Sequence, residues 1–377
     1  MRIGINATCF NDTPSGAKKR FLNIYFKVFN TLNNIEFIIF EPIDCNISNW
    51  FEKSQNIKFV KTKMLSTNSI QRYLYGLFLW PKYFKEYKFD LFDWYHLPLT
   101  VKKNTNIILT IHDLRYLEIP KYYSIFRSLI AKRVIQSSIS NAKKIVTVSK
   151  TMHKSISRLE NKDKISVIYN GLDQNYGQEL KKNIINNTKK KYNLNFEFIL
   201  TVGSLEKRKN LSVVLKSIGL LNSLGYNKKL VIVGGLYNDS SNIIETRELL
   251  DLNNDVVILN KVNDLELKCL YKLANTFVFP SIYEGFGIPL LEAMFMKCPV
   301  IASDIECFRE LGKSYINYFD PKSEEDLCYQ LLRIENNKKE ILKKIDKAYE
   351  RSLEFNYESI AQKVISIYKE LNYKLDK

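Results

Sequence analysis

The sequence predicts an α/β protein built from two doubly wound domains, each around a parallel sheet. Short apolar, β-branched runs alternate with longer stretches whose apolar residues recur every three or four positions, a pattern typical of βαβ units. The alternation occurs in two series, separated by a polar, disordered-looking segment at 173–195. The chain has 377 residues, enough for two domains of ordinary size. We therefore expect one domain over 1–172 and a second over 173–355.

Each predicted strand is a short run rich in Ile, Val and aromatic residues. The candidates of the first series are 1–7, 36–42, 57–64, 89–95, 106–113, 144–150 and 165–171. Those of the second series are 198–203, 229–235, 255–261, 275–281, 299–303 and 315–320. The segment 357–375 has Ile360, Val364 and Ile367 at helical spacing and is predicted as an amphipathic helix.

The composition excludes several classes of protein. A chain with 45% hydrophobic and 26% charged residues can bury a core and is not intrinsically disordered. Its six cysteines form no CxxC pair, which argues against a disulfide framework and a zinc ribbon. The longest strongly apolar stretch, 73–81, is far shorter than the roughly 20 residues that span a bilayer. With no leader-like segment before the first strand, we expect a cytoplasmic protein.

The positive charge lies mainly in the first half. The formal net charge is +17, and residues 1–173 hold 27 basic against 13 acidic side chains, while the remainder holds 30 against 27. This asymmetry indicates a polyanionic partner: nucleic acid, an anionic membrane face or a phosphorylated substrate. A general enrichment in lysine is the alternative, but it should affect both halves alike.

The most informative segment is PSIYEGFGIPLLEAMFMKCPVIASD at 280–304. It predicts a strand, a turn with two glycines and a helix with Pro289 in its first turn. A helix N-terminus behind glycines offers backbone N–H groups and the positive end of a dipole, which suit a phosphate. Glu284 and Glu292 stand eight residues apart and are expected to bind ligand hydroxyls in one cleft. The alternative is an ordinary strand–turn–helix with two surface glutamates.

The second informative segment is FILTVGSLEKRKNLSVVLKSI at 198–218. A strand ends at Gly203, and the following loop carries Lys207, Arg208 and Lys209 before Asn210, a predicted N-cap. Three cations beside a helix start would clamp a diphosphate through charge-assisted hydrogen bonds. The alternative is a solvated loop.

In the first domain, polar residues follow two predicted strands. His112 and Asp113 end the strand at 106–113, and His96 follows the strand at 89–95. An imidazole at a strand end can donate a hydrogen bond to a sugar hydroxyl or face a developing charge. A lone histidine is also often structural, and we interpret His153 in that way.

The first loop, NDTPSGAKKRF at 11–21, joins the first strand to the first helix. Gly16 allows close backbone approach, and the run from Lys18 to Arg20 supplies charge for an anionic acceptor. P-loop, dinucleotide, HExxH and GxSxG motifs are absent, and no DxD stands among further candidate metal ligands. Catalysis without a metal would have to stabilise a leaving diphosphate through cations and helix dipoles, which matches the predicted clamp.

Taken together, these motifs resemble glycosyltransferase family 4, the retaining nucleotide-sugar-dependent enzymes with a GT-B fold. The resemblance extends over almost the whole chain and rests on SIYEGFGIPLLEAM, VGSLEKRKNL, TIHDL, TVSK, YNGLD and the approach ELKCLYKLANTFVFPS. It implies two Rossmann-like domains facing a central cleft. The acceptor would bind to the domain at 1–172, and the donor to the domain at 173–355. The C-terminal helix at 356–377 would return to the first domain.

The resemblance also implies residue roles. Arg208 and Lys209 would hold the donor diphosphate, Glu292 the ribose hydroxyls and Glu284 those of the donor sugar. His112 would lie beside the sugar at the reaction centre. The implied catalytic residues are His112, Glu284, Arg208 and Lys209. The other implied donor-binding positions are Gly16, Gly203, Lys261, Val262, Gly285, Phe286, Gly287, Ile288 and Leu291. The implied acceptor-binding residues are Lys18, Arg20, His96 and Asp113.

The implied reaction keeps the anomeric configuration and requires neither a metal nor another cofactor. The acceptor would be a glycan or a lipid-linked saccharide, in the biosynthesis of a cell-surface polysaccharide or lipopolysaccharide. Aromatic and basic residues at 72–88 and 121–135 would then contact the inner face of an anionic membrane.

Two alternatives stay open at the level of sequence. The first is another GT-B activity, such as a nucleotide-sugar 2-epimerase or a retaining sugar phosphorylase. The second is a basic nucleic-acid-binding protein, which only the charge suggests. Because no nucleic-acid-binding module is recognisable, we expect no nucleic-acid partner.

Overall fold

The computed structural model describes residues 1–13, 15–52, 54–101, 106–172, 174–177, 179–235 and 241–371. The chain divides into two compact units: a first unit, Met1–Gly171 with Asn356–Lys377, and a second unit, Leu172–Phe355. The domains predicted from the sequence, 1–172 and 173–355, meet one residue later than these two units do.

The first unit is built on a parallel sheet of seven strands. These are β1 (Arg2–Asn6), β2 (Glu36–Glu41), β3 (Ile57–Lys61), β4 (Leu91–Trp94), β5 (Ile107–Ile111), β6 (Lys144–Thr147) and β7 (Ile165–Val167). Their order is β3-β2-β1-β4-β5-β6-β7, and every pair is parallel. The central strands are buried on both faces, which explains their unbroken apolar runs.

Five α-helices connect these strands in the described part of the first unit. They are α1 (Gly16–Thr31), α2 (Ser69–Tyr87), α3 (Arg115–Glu118), α4 (Ile125–Asn141) and α5 (Lys150–Ile156). Serine side chains cap three of them: Ser15 accepts a hydrogen bond from the backbone N–H of Lys18, and Ser124 and Ser149 cap α4 and α5 in the same way.

The second unit repeats the architecture with a six-stranded parallel sheet. Its strands are β8 (Ile199–Val202), β9 (Leu230–Val233), β10 (Val256–Leu259), β11 (Thr276–Phe279), β12 (Val300–Ser303) and β13 (Asn317–Phe319), in the order β10-β9-β8-β11-β12-β13. Its helices are α6 (Lys182–Lys191), α7 (Leu211–Ser223), α8 (Ser241–Leu249), α9 (Asp264–Leu273), α10 (Ile288–Phe295), α11 (Glu306–Gly312), α12 (Glu324–Asn336) and α13 (Lys338–Leu353). All thirteen predicted strands are confirmed, each inside its predicted range.

The described residues of the polar segment at 173–195, which are 174–177 and 179–195, are more ordered than their sequence suggested. It contains a 3-10 helix, Gln174–Gly177, and α6. Leu194 is buried, and the Tyr192 hydroxyl donates a hydrogen bond to Glu266 on α9. These few anchors hold the segment against the second unit, so the disordered interpretation is wrong.

The last helix, α14 (Tyr357–Leu371), belongs to the core of the first unit. The Tyr368 hydroxyl donates to Asp93 Oδ2 at 2.7 Å, and the Tyr25 hydroxyl of α1 donates to the same oxygen at 2.6 Å. A buried carboxylate on β4 thus joins α1 and α14. Across the described ranges, no helix is both long enough and apolar enough to cross a membrane.

Candidate functional site

The candidate site of the second unit lies where its strand order reverses. The chain winds from β8 to β9 and β10 on one side and continues with β11 on the other, so the loops after β8 and β11 separate at the carboxyl edge. Open α/β sheets bind their ligands at such a position. Gly234 helps to shape this edge, because a Cβ there would lie 1.9 Å from the carbonyl oxygen of Gly203. Sequence reasoning did not identify Gly234.

A carboxylate and two cations meet at this edge. Arg208 and Lys209 end a 3-10 helix, Lys207–Lys209, that follows β8, and Glu284 lies in the turn after β11. Lys209 Nζ forms an ion pair with Glu284, and Arg208 Nη1 lies 3.2 Å from Glu284 Oε1. Ser281 Oγ donates a hydrogen bond of 2.9 Å to the same carboxylate oxygen. The two informative sequence segments thus form one cluster.

Glu206 extends this cluster. Its carboxylate accepts a hydrogen bond of 2.9 Å from Arg208 Nε and another of 2.7 Å from Ser204 Oγ. Lys207, by contrast, is exposed. The interpretation as a fully solvated loop is wrong for Arg208 and Lys209, whose side chains are largely buried. Glu206 and Ser281 were not identified from the sequence.

Glu284 is ionised in this setting. Its burial opposes ionisation, but the charges of Lys209 and Arg208 outweigh that effect and hold the pKa of the carboxyl below its ordinary value. Cations and carboxylates therefore alternate across the cluster. Such cations, held at a fixed position by carboxylates, can stabilise a phosphate or a developing diphosphate charge.

Helix α10 begins beside this cluster. Gly287 is its N-cap with φ +113°, a conformation that favours glycine, and Pro289 occupies the first turn as predicted. Gly285, Phe286 and Leu291 are buried, and Ile288 is the first helical residue. Gly287 has no side chain to cap the helix, so the first backbone N–H groups of α10 receive no hydrogen bond from the N-cap residue.

Glu292 lies within α10 and is only 3% exposed. Its Oε2 accepts a hydrogen bond of 3.1 Å from the hydroxyl of Tyr271 on α9. Burial, and then the charge of Glu292, raise the pKa values of Tyr271 and Tyr176 well above the ordinary value. The alternative of two surface glutamates is wrong, because the side chains of both Glu284 and Glu292 are largely buried.

The remaining predicted donor positions of this unit lie apart along the sheet edge. Gly203 directly follows β8. Lys261 and Val262 follow β10, the edge strand two places away, and Lys261 is exposed. The Lys261 carbonyl accepts a hydrogen bond of 3.2 Å from the Tyr192 hydroxyl.

Asn210 corrects one local prediction. It occupies the N-cap position of α7, but its backbone is left-handed, with φ +55°, and its side chain makes no capping hydrogen bond. Its amide Nδ2 instead donates to the carbonyl of Pro321 at 2.8 Å. The side chain therefore joins the turn after β8 to the segment after β13.

In the first unit, two histidines follow the adjacent strands β4 and β5. The ring centroids of Tyr95 and His112 are 5.3 Å apart. Burial lowers the pKa of both His96 and His112 to about 3, with nearby positive charge adding to the effect. His96 Nδ1 and His112 Nε2 are buried and make no hydrogen bond to the described residues. Both rings are therefore neutral near pH 7.

The other predicted residues of the first unit lie at the same sheet edge. Asp113 Oδ1 pairs with Arg115 Nε at 3.2 Å. Gly16 is the first residue of α1. Lys18 Nζ lies 3.8 Å from the centroid of the Trp50 ring, over its face, and 3.8 Å from Asp12 Oδ1.

Arg20 requires a correction. It was predicted to meet an anionic acceptor, but it is 1% exposed and faces the interior with the apolar side of α1. Its Nη1 donates to the carbonyl of Tyr169 at 2.6 Å. A guanidinium in this position supports the segment after β7 rather than a solvent-borne ligand.

The described residues contain no group of three or more His, Cys, Asp and Glu side chains placed to hold a metal ion.

Two family models match the chain in succession. The model of Glycosyltransferase Family 4 matches residues 44–176, and that of Glycosyl transferases group 1 matches residues 182–351. The chain is 35% identical over 231 residues to the O-antigen chain mannosyltransferase RfbU of Salmonella typhimurium, covering 59% of this chain and 60% of that protein. It is 26% identical over 268 residues to O-antigen chain mannosyltransferase B of Escherichia coli, covering 70% of each. The chain thus spans about 60% of the length of RfbU.

The fold is similar to that of HepE from Anabaena, solved in complex with UDP-glucose. The TM-score is 0.74 at 14% identity, over 98% of this chain and 100% of that one. At this identity the likeness concerns the fold.

Proposed function

The chain belongs to glycosyltransferase family 4 and has the GT-B fold, and on that basis we propose that it transfers a sugar from a nucleoside-diphosphate sugar to a saccharide acceptor. The observation that carries the proposal is the cluster of Arg208, Lys209 and Glu284 beside the N-terminus of α10. Two cations and a helix N-terminus are groups that favour binding of a diphosphate.

Two relatives support a pathway and a sugar for this proposal. RfbU and mannosyltransferase B are both O-antigen chain mannosyltransferases. We therefore assign to this chain the transfer of a mannosyl unit during the assembly of a cell-surface polysaccharide. HepE, solved with UDP-glucose, supports a nucleotide-sugar donor in a chain of this fold.

The chemistry of the cluster fits transfer with retention and without a metal. The bond between the anomeric carbon and the diphosphate oxygen breaks, and the acceptor oxygen bonds to the same face of the sugar. The acceptor proton passes to the departing diphosphate, whose charge Arg208 and Lys209 stabilise. Glu284 is held between these cations and serves to position them and a sugar hydroxyl, not as a covalent nucleophile.

We assign acceptor binding to the first unit. His112 is neutral and can exchange hydrogen bonds with a sugar hydroxyl, and Lys18, His96 and Asp113 share its sheet edge. The excess of positive charge in residues 1–173 supports a lipid-linked, phosphorylated acceptor and contact with an anionic membrane.

A thermal-shift screen tests the donor site. Wild type is heated with UDP, GDP, dTDP, ADP and CMP, and one nucleoside diphosphate at about a hundred times its Kd should stabilise it by about 2.7 kcal/mol. Lys209→Met should abolish this shift, because it removes one cation from the cluster. Lys207→Met is the matched control, since Lys207 is exposed on the same 3-10 helix.

Each variant is compared with its own ligand-free melting temperature, so a loss of stability is not mistaken for a loss of binding. A donor assay with the selected nucleotide-mannose and a lipid-linked oligosaccharide then measures transfer. The proposal fails if no nucleoside diphosphate stabilises wild type, or if Lys209→Met and Lys207→Met behave alike. Stabilisation by an oligonucleotide alone would favour the nucleic-acid alternative.

A further inference from the structure

The first unit contains an apolar groove that the proposed reaction has not used. This α3–α5 groove, a cavity of about 640 Å³, is bounded by α3, the 3-10 helix Pro120–Tyr122, α4 and α5. Leu114, Leu117, Leu129 and Leu159 line it. Its volume is within the range of pockets that hold small ligands. Since Leu114 follows His112 by two residues, the groove begins at the carboxyl end of β5.

The groove also carries charge of one predominant sign. Lys121, Lys132 and Arg158 line it and are exposed, while Glu118 is the acidic residue among its lining side chains, 3.8 Å from Arg158. Ser128 Oγ is buried in the lining and makes no hydrogen bond to any described residue. Three cations and an unpaired hydroxyl provide donors for an anionic group, next to an apolar floor.

The apolar surface continues beyond the cavity along the first half of α4. Ile125 and Leu129 of the lining are 81% and 57% exposed, and beyond them Phe126 is 75% and Ile130 46% exposed. The residues that α4 buries, Ile135, Ser138 and Ile139, all lie in its second half. Exposed apolar surface of this kind marks a site that binds a protein, a membrane or a ligand. An apolar strip beside basic side chains is complementary to a lipid with an anionic head.

We propose that the α3–α5 groove binds a lipid phosphate, with its apolar chain between α3 and α4 and its phosphate at Lys121, Lys132 and Arg158. In the proposed reaction this ligand is the carrier end of the lipid-linked acceptor. This identification of the ligand rests on the proposed function, in which the lipid carries the saccharide acceptor. Binding of the lipid phosphate itself needs no donor and can be measured separately.

The test is a calorimetric titration of the full chain with dodecyl phosphate below its critical micelle concentration. Dodecyl maltoside provides the same alkyl chain with a neutral head. Leu129→Asp disrupts the apolar lining, and Lys121→Glu with Lys132→Glu reverses the charge of the rim. Leu342→Asp and the pair Lys339→Glu with Lys343→Glu make the same changes at exposed positions of α13.

We expect saturable binding of dodecyl phosphate to wild type and to both controls, and at least tenfold weaker binding to both groove variants. Dodecyl maltoside should also bind at least tenfold more weakly. Equal affinities of groove variants and controls, or of the two amphiphiles, would overturn the proposal. So would binding to phosphatidylglycerol vesicles without binding of monomeric dodecyl phosphate, since this would indicate a membrane surface contact.

The nucleotide screen is run on the same preparations. A protein that shows the nucleotide shift but does not bind dodecyl phosphate contradicts the groove alone. Binding of dodecyl phosphate without any nucleotide shift contradicts the proposed function and leaves the groove in place.

Discussion

At the residue scale, the buried histidines of the first unit determine part of its response to acid. His96 and His112 follow neighbouring strands, and burial lowers the pKa of each to about 3. In the unfolded chain a histidine takes up a proton near pH 6.5. As pH falls from about 6.5 towards 3, the unfolded chain therefore binds protons that the folded chain does not, and protonation favours unfolding.

We predict that His112→Asn and His96→Asn each reduce the pH dependence of stability in this window. Below pH 6.5, the free energy of unfolding of wild type should fall more steeply than that of either variant, by about 1 kcal/mol per pH unit. Urea unfolding between pH 4 and pH 8 measures the slopes. His153→Asn, at the third histidine of the chain, is the control. A slope for His112→Asn equal to that of wild type would show that His112 titrates normally.

Residue-scale partners were the hardest part of the site to predict. The clamp formed by Arg208 and Lys209 was expected from the strand end and the basic run, but the partner of Lys209 lies 75 residues away. Glu206 had a local cue, since it stands two residues before Arg208. Arg20 was placed wrongly although it precedes the buried Ile24 and Val28 at four-residue spacing. That spacing indicates the buried face of α1 and was available in the sequence.

At the scale of elements, the turn into α10 requires a positive φ, which few residues other than glycine adopt. Gly287 has φ +113°, and a Cβ there would lie 3.1 Å from the ring of Phe308. Gly225, in the turn after α7, also has a positive φ, +86°, but nothing lies within 4 Å of its Cβ position. The two glycines differ in surroundings but share a positive φ, which would strain a residue with a side chain.

We predict that Gly287→Ala costs about 1–3 kcal/mol of stability through backbone strain. Gly225→Ala should cost about 1 kcal/mol. Because Gly287 also forms the N-cap of α10, its replacement should weaken nucleoside-diphosphate binding, whereas Gly225→Ala should not. Thermal unfolding with and without the nucleotide measures both effects. Normal nucleotide binding by Gly287→Ala would remove the α10 N-terminus from the donor site.

The elements themselves were predicted well where they are buried. The central parallel strands are covered on both faces and must be apolar throughout, so they were visible as continuous runs. The edge strand β3 is only partly buried, and its run IKFVK was visible from its β-branched and aromatic residues. Helix α6 was missed because it buries little. Thr188 is its buried residue, and Leu194, after the end of the helix, is the next buried side chain. The prediction that Asn210 caps α7 is wrong because its side-chain amide donates instead to the carbonyl of Pro321.

At the scale of the whole molecule, one buried carboxylate connects the two ends of the chain within the first unit. Asp93 on β4 accepts hydrogen bonds from Tyr25 of α1 and Tyr368 of α14. Burial raises the pKa of Asp93, and the two tyrosine hydroxyls oppose that rise. Loss of one hydroxyl leaves a buried carboxyl with fewer donors.

We predict that Tyr368→Phe destabilises the protein by about 1–3 kcal/mol at neutral pH. The loss should be larger at pH 8 than at pH 5, because the ionised form of Asp93 depends more on hydrogen-bond donors than the protonated form. Tyr329→Phe, at an exposed tyrosine of α12, should have no measurable effect. Urea unfolding at the two pH values distinguishes the cases. Equal stability of the two variants would mean that the Tyr368 hydroxyl contributes nothing measurable to holding α14 in place.

The sequence by itself determined the two α/β series, their thirteen strands and the strand-end residues that carry the site. These features are local, because burial on both faces imposes an apolar run on the central strands and a loop after a strand retains its polar residues. Only the tertiary structure decided that Lys209 and Arg208 share Glu284, that Arg20 faces inward and that α3, α4 and α5 enclose an apolar groove. Each of these depends on contacts between residues distant in the chain, or on which face of a helix becomes buried, and the packing of the elements decides both.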